Sequence, residues 1–366
     1  MRELWYAIVA FMFTAYVVLD GFDLGAGTLH LFVARTDAER RGVFAAIGPF
    51  WDANEVWLLA AGGALFVAFP RVLAAGLSGF YFAIFLVLWC LILRGIAIEF
   101  RSHVDDRLWR AFWDTAFAGA STLLPVLFGA ALGNLLRGVP LTAGGWFQLS
   151  LFTTFRPSDP VGTLDWYTVL AGVFALVALA GHGAAFLAWK APGEVAARAR
   201  ALGTRLHAAL AVLWPLVTIA TARVNPGLLA ALPHRPAAIA ATLLALAGMV
   251  AVLASGARRP LARFLGSCAF LAGMLAATAA CLYPVMLRSS GDPARSLTAL
   301  DAAGDTGLRA ALGWWCVGLP LVALWFSILF RLHRGRATTA AGAGVYGGGD
   351  DPSPDAPESP RSRERP

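Results

Sequence analysis

Long apolar runs separated by short arginine-bearing connections make up most of this chain, and that pattern leaves few folds open to it. Nine runs are long enough to cross a bilayer, at about 4–33, 43–70, 74–101, 112–137, 163–190, 203–224, 236–256, 263–287 and 309–333. A bilayer core about 30 Å thick takes roughly 20 apolar residues as a helix. In hydrocarbon every backbone polar group must be satisfied within the segment, so runs of this length become helices. Only 14% of the 366 residues are charged, against about 25% in soluble domains. The reading is an all-α polytopic membrane protein of about nine transmembrane helices. The second run is the weakest, because Asp52, Asn54 and Glu55 fall in its first half. A hydropathy profile alone reports eight.

The net charge of +7 is almost entirely arginine, with Lys190 the only lysine. These residues flank apolar runs, as membrane proteins require, and are not read as a nucleic-acid footprint. When the connections are assigned to alternate sides, one side carries 16 Arg and Lys and the other 9. The richer side is expected in the cytoplasm. The N-terminus is then outside and the C-terminus inside, as an odd number of spans demands. The first run is too long for a signal-peptide core and lacks a small-residue cleavage site, so no cleavable leader is expected. Residues 1–335 read as the transmembrane domain. From 336 to 366 the chain turns to Gly, Pro, Ser and charge, as in Gly347-Gly348-Gly349-Asp350-Asp351-Pro352. Such a segment cannot bury a core and is expected to be a disordered cytoplasmic tail. The longest external loops, about 138–162 and 288–308, carry no legible motif.

Acids interrupt the first two runs, as Asp20 and Asp23 in the first and as Asp52 and Glu55 in the second. Each costs at least ~2.5–3.5 kcal/mol at the bilayer centre, so each is expected to face protein or water. Within each pair the spacing of three puts both carboxylates on one helix face. In the expected orientation both pairs lie toward the cytoplasmic side, at the depth of Arg94 in the third run. Four carboxylates that close cannot all be charged in low dielectric. Some hold a proton or pair with Arg94, and they titrate together. This suits a proton relay, and it equally suits ion pairs that pin three helices. Gly21, Gly25, Gly27, Gly62 and Gly63 fit close helix packing under either reading. Arg94 and Glu99 are five apart and share no face, so each is expected to pair with another helix. With Arg101 they are read as a structural polar cluster.

The remaining chemistry-bearing residues are sparse. His30, His103 and His333 fall near cytoplasmic helix ends, His207 at the start of the sixth run and His234 in an external loop. His182, in Gly181-His182-Gly183-Ala184, is the one clearly mid-span. A buried histidine can ligate haem, but no second histidine stands at matched depth, so a polar contact to a neighbouring helix is expected. Cys90, Cys268, Cys281 and Cys316 show no metal spacing and are read as buried free thiols. Met274 and Met286 are read as packing residues.

Taken together, these segments resemble subunit II of the cytochrome bd-type quinol oxidases. The likeness is carried by Asp20-Gly21-Phe22-Asp23-Leu24-Gly25-Ala26-Gly27 and by Gly48-Pro49-Phe50-Trp51-Asp52-Ala53-Asn54-Glu55-Val56-Trp57-Leu58. Ser78-Gly79-Phe80-Tyr81, Arg94-Gly95 with Glu99-Phe100-Arg101, Gly133-Asn134-Leu135-Leu136-Arg137-Gly138-Val139-Pro140, Gly181-His182-Gly183-Ala184 and Tyr283-Pro284 extend it to about residue 335. Ala53 stands where the family usually has Gly, the segment Asp301–Asp305 is looser, and the tail matches nothing in the family.

The resemblance implies two four-helix bundles plus a peripheral helix. It also implies a pseudo-symmetric heterodimer with a haem-bearing subunit I, sometimes joined by a small single-span subunit. Haem b and haem d would be carried by subunit I, with no cofactor or metal ligated by this chain and no catalytic residue in it. Quinol would be oxidised at the outer face of the plasma membrane and O2 reduced to water, with protons drawn from the cytoplasm. Membrane lipids and quinone are the other expected contacts. This chain would support subunit I and supply a proton inlet. Asp52 would be its central carrier, Trp51 and Trp57 its walls, Asn54 a water holder, and Asp20, Asp23 and Glu55 relay or tuning groups. Two other readings stand beside this one: a proton-coupled secondary transporter, and a purely structural membrane subunit. Against the transporter, the acids of the first two runs have no repeat in the second half of the chain.

Overall fold

The computed structural model describes residues 1–153, 155–157, 160–255 and 259–337. The expected tail from 338 onward lies outside the described residues. Twelve helices follow one another: α1 (Arg2–Val33), α2 (Asp37–Ile47), α3 (Trp51–Ala68), α4 (Pro70–Gly79), α5 (Tyr81–Phe100), α6 (Arg107–Arg137), α7 (Trp166–Lys190), α8 (Gly193–Val224), α9 (Pro226–Ala231), α10 (Pro236–Ala254), α11 (Pro260–Leu282) and α12 (Asp305–Leu332). Eight are long and apolar enough to cross a membrane. A ninth span is reached if α3 and α4, bent by 119° at their junction, count as one. The chain is a multi-pass membrane protein.

The second and third expected spans have different boundaries from those read in the sequence. The run 43–70 is cut at Gly48-Pro49-Phe50, where Pro49 lacks the N–H that would carry α2 into α3. Thr36 starts α2 by a capping box with Glu39. Pro70, again without a donor, opens α4 as its first residue. Residues 74–79 therefore belong to α4, and the third span is α5. The sixth expected span, 203–224, begins ten residues earlier in α8. His207 is thus buried well inside that helix and not at its start.

Helices α1, α3, α5 and α6 pack as one group, and α7, α8, α10 and α11 as a second. Helices α1 and α6 lie against α7 and join the groups. The remaining long helix, α12, is peripheral: it touches α3 and leaves most of its surface exposed. Cys316 on α12 is accordingly exposed, unlike the buried thiol expected, while Cys90 and Cys281 are buried and Cys268 partly so. The joint between the groups depends on absent side chains. A Cβ on Gly25 falls 1.9 Å from Leu179 O, and one on Gly183 falls 2.2 Å from the carbonyl carbon of Gly25. Only glycine permits that approach of two backbones.

The two ends of the bundle are built differently. At the end holding the N-terminus, Trp5 Nε1 donates to Leu308 O at 3.1 Å and Ala303 N to Ala68 O at 2.9 Å. Both long connections fold over this end. Val139 N donates to Arg288 O and Ser290 N to Val139 O, each at 2.9 Å. A small antiparallel pair, β1 (Val285–Leu287) with β2 (Leu297–Thr298), completes the cap. Ala75 of α4 packs there with Val139, Leu141, Phe147, Leu287 and Leu297, and Arg137 bonds to Asp165 beneath. At the opposite end lie α2, the starts of α3 and α6, and the finish of α12. There Lys190 Nζ donates to His333 O at 2.5 Å.

Candidate functional site

Helices α1, α3 and α5 meet around one buried cation. Arg94 is fully buried, and its Nη2 donates to Asp20 Oδ1 at 2.9 Å and to Glu55 Oε1. Asp20 has no exposed surface, whereas Glu55 keeps a quarter of its side chain exposed. Asn54, also fully buried, donates Nδ2 to Asp23 Oδ2 at 2.7 Å and to Leu19 O at 3.0 Å. Tyr16, one turn before Asp20 on α1, sets its hydroxyl beside that carboxyl. Tyr16 also lines an apolar cavity of about 240 Å³ between α1, α6 and the second group. The group is thus polar toward α3 and α5 and apolar on its far side.

Of the acids expected to gather, Asp20, Asp23 and Glu55 do so, and Asp52 does not. Asp52 is exposed in the first turn of α3. The reason is rotation about the helix axis. At about 100° per residue, Asp52 stands roughly 160° from the inward-facing Asn54, while Glu55 stands about 100° from it. Trp51 packs its ring on Gly95 of α5, where a Cβ would meet it at 3.3 Å. Trp57 is buried, edge-on to Phe11 at 5.7 Å. Asn54 thus ties α3 to α1 through its amide nitrogen, while its Oδ1 is buried without a hydrogen-bond partner.

The expected structural cluster of Arg94, Glu99 and Arg101 divides. Arg94 belongs to the acid group above. Arg101, two turns on, is buried in a second network, with Nε on Asp114 Oδ1 at 2.6 Å and Nη2 on Asp37 Oδ1 at 2.8 Å. Glu99 is half-buried on α5. The second network centres on Asp114 of α6, fully buried, which also takes Arg40 at 2.8 Å and His30 Nε2 at 2.7 Å. Asp37 on α2, outside the spans, is bonded by Arg41 and lies near Arg110. Burial opposes its ionisation, but the guanidinium of Arg101 with Arg41 and Arg110 outweighs that and holds its carboxyl below the usual range.

Sequence reasoning missed Asp114. The signal was Asp106, whose carboxylate caps Trp109 N and starts α6 at Arg107. Asp114 then lies two turns inside the helix, where a lone charge demands partners.

The interior histidines are each closed in by protein. His182 donates Nε2–H to Val18 O at 2.9 Å, has Nδ1 against Ser267 Oγ at 2.7 Å, and stacks on Phe264 at 5.1 Å. This is the expected polar contact to neighbouring helices. His207 donates to Gly203 O at 2.7 Å, and its other nitrogen lies against Gly181. His30 is held by Asp114 between the rings of Phe44 and Phe117. His30 Nδ1 and His207 Nε2 are buried without a hydrogen-bond partner. Among the described residues no three metal-ligating side chains form a group.

Residues 1–333 match the family model described as cytochrome bd terminal oxidase subunit II. The chain belongs to that family. It is 39% identical over 225 residues to the cytochrome bd-I ubiquinol oxidase subunit 2 of Escherichia coli K12, covering 61% of this chain and 56% of the relative. It is 36% identical over 206 residues to the cytochrome bd ubiquinol oxidase subunit 2 of Bacillus subtilis, covering 56% and 58%. The chain thus spans little more than half the length of these curated relatives. In three dimensions it resembles a chain of the bd oxidase from Geobacillus thermodenitrificans, with a TM-score of 0.69 at 18% identity over 91% of this chain and 98% of that one. At that identity the likeness speaks to the fold, and it agrees with two four-helix groups and a peripheral helix. Family membership sets aside the transporter reading.

Proposed function

We propose that this chain is the subunit II of a bd-type terminal quinol oxidase, in which quinol oxidation drives O2 reduction to water. It would pair with a subunit I that carries haem b and haem d, with or without a small single-span third subunit. Residues 1–335 would form the membrane domain. The end bearing α2 and the finish of α12 would face the cytoplasm, and the capped end the outside, in keeping with the arginine asymmetry.

Within that complex the chain would supply a proton inlet. The observation that carries this is the acid group itself: a fully buried Arg94 shared by Asp20 and Glu55, with exposed Asp52 one turn from Glu55. Asp52 would take a proton at the cytoplasmic mouth and pass it to Glu55. Glu55 and Asp20 share one cation, so a proton gained by either loosens its hold on Arg94 and tightens the other's. Asp23, tied to Asn54, would be the next station, and Trp51 and Trp57 would exclude bulk water from the sides. Arg94 is assigned to structure first, since ion pairs of this kind join three helices.

The test is Asp52→Asn in the purified complex, read as quinol-driven O2 uptake against haem content. Turnover that falls several-fold at unchanged haem content supports the inlet. Unchanged turnover removes Asp52 from it, and a loss of haem makes Asp52 structural.

A further inference from the structure

A second set of polar groups reaches the same carboxylates from another direction. On α1, residues 16, 20, 23, 27 and 30 recur at spacings of three and four and so share a face. They are Tyr16, Asp20, Asp23, Gly27 and His30, all but Gly27 bearing a titratable or hydrogen-bonding group. Gly27 leaves a gap that α6 fills: a Cβ there would fall 2.1 Å from Ser121 Oγ. Ser121 therefore supplies the missing polar step between Asp23 and His30. Below His30 stands Asp114, bonded to Arg40 and Arg101, with Arg101 in turn on the partly exposed Asp37.

Each step of this ladder keeps a buried polar atom with no hydrogen-bond partner: Asp23 Oδ1, Ser121 Oγ and His30 Nδ1. Buried atoms of this kind are uncommon, because leaving one unmade costs more than the bond itself returns. Two of the three lie on one face of α1 and the third on α6 where it meets that face at Gly27. Together they point to a shared occupant, and internal water satisfies both donors and acceptors. Along α1 the positions 23, 27 and 30 rise by about 6 and 4.5 Å, at 1.5 Å per residue.

We propose that Ser121 and His30 form a second proton branch, which runs from the Asp37–Arg40–Asp114 surface network along α1 to Asp23. A proton would reach His30 Nε2 from the Asp114 side and leave from Nδ1. It would pass by way of water and the Ser121 hydroxyl to Asp23, each acceptor releasing one proton as it gains one. The proposal rests on the inlet reading above, and it adds a way in that does not use Asp52. Ser121 and His30 are relay and positioning residues. Neither touches a substrate.

Ser121→Ala is the sharpest probe, because it removes a hydroxyl that bonds to nothing in the protein and so leaves the packing intact. It should be made alone and in the Asp52→Asn background, with His30→Gln as a second variant that keeps a donor to Asp114. Haem content, turnover and the solvent deuterium isotope effect on turnover are measured on the intact complex. With two branches, Asp52→Asn retains part of its turnover. Adding Ser121→Ala then lowers that remainder at least about tenfold, against the roughly 10²-fold or more usual when a direct proton-transfer group is lost. The isotope effect rises and haem content does not change. Equal turnover with and without Ser121→Ala, in both backgrounds, overturns the branch and leaves the Asp52 inlet standing. No turnover at all in Asp52→Asn at full haem content also overturns it, by making Asp52 the sole way in. Full turnover in Asp23→Asn, with haem retained, removes the inlet reading and the branch together.

Discussion

Gly183→Ala tests the joint that holds the two helix groups in register. The added methyl carbon falls 2.2 Å from the carbonyl carbon of Gly25 and 2.3 Å from Ala26 N. Both are backbone atoms and cannot swing aside, so α1 and α7 must part by more than about 1 Å to regain ordinary contact near 3.5 Å. Overpacking of this kind costs about 1–3 kcal/mol. One residue away, His182 Nε2 holds Val18 O at 2.9 Å, and parting the helices stretches that bond out of range. Interhelical bonds in membranes contribute roughly 0.6–1.7 kcal/mol. The sum is about 2–5 kcal/mol. The assay is the midpoint of thermal inactivation of the purified complex at one fixed heating rate, since unfolding of such assemblies is irreversible. Gly119→Ala is the control. It adds the same methyl to α6 where nothing lies within 4 Å, and removing a mid-helix glycine should stabilise by about 0.5–1 kcal/mol. A clear fall for Gly183→Ala with no fall for Gly119→Ala is expected. Equal midpoints for the two variants would refute the claimed contact. Asp20 and Asp23 sit on the same helix one turn from the crossing, so a displaced α1 should also slow turnover.

Other consequences are simpler to state. Arg94→Met leaves Asp20 and Glu55 buried without their cation and should cost about 3–5 kcal/mol, seen as lost yield of haem-containing complex. The triple variant with Asp20→Asn and Glu55→Gln should recover most of that yield. Asp37 has its carboxyl held below the usual range, so the stability it lends to α2 is complete above the ordinary carboxylate pKa and is lost as pH falls through the lower folded value. Protection of residues 37–47 from hydrogen exchange, taken against the intrinsic rate at each pH, should therefore fall in acid below about pH 4, and Asp37→Asn should lower it at neutral pH as well. Lys190→Met removes the donor to His333 O and should loosen the end of α12, read as faster proteolysis near residue 335.

Much of the architecture was legible because its causes are local. Each span must satisfy its own backbone in hydrocarbon, so apolar length alone gives a many-span helical protein, while the count of eight or nine turns on the bent pair α3 and α4. The acids in the first two runs were legible for the same reason, since a charge in such a run is anomalous wherever the helix turns. Proline marked where α3 and α4 begin only once the chain was seen to bend there. The expected second span had run straight through the break at Pro49.

Which groups meet is another matter. The sequence alone led to the expectation that Asp20, Asp23, Asp52, Glu55 and Arg94 lie at similar depth, because depth follows from counting residues along a span. Only the tertiary structure decided that Arg94 bridges Asp20 and Glu55, that Asp52 turns outward, and that Asp114 gathers His30, Arg40 and Arg101. Helical periodicity fixes the angles between residues on one helix but not the rotation of that helix against its neighbours. That rotation is set by close contacts such as Gly25 on Gly183, which involve residues far apart in the chain.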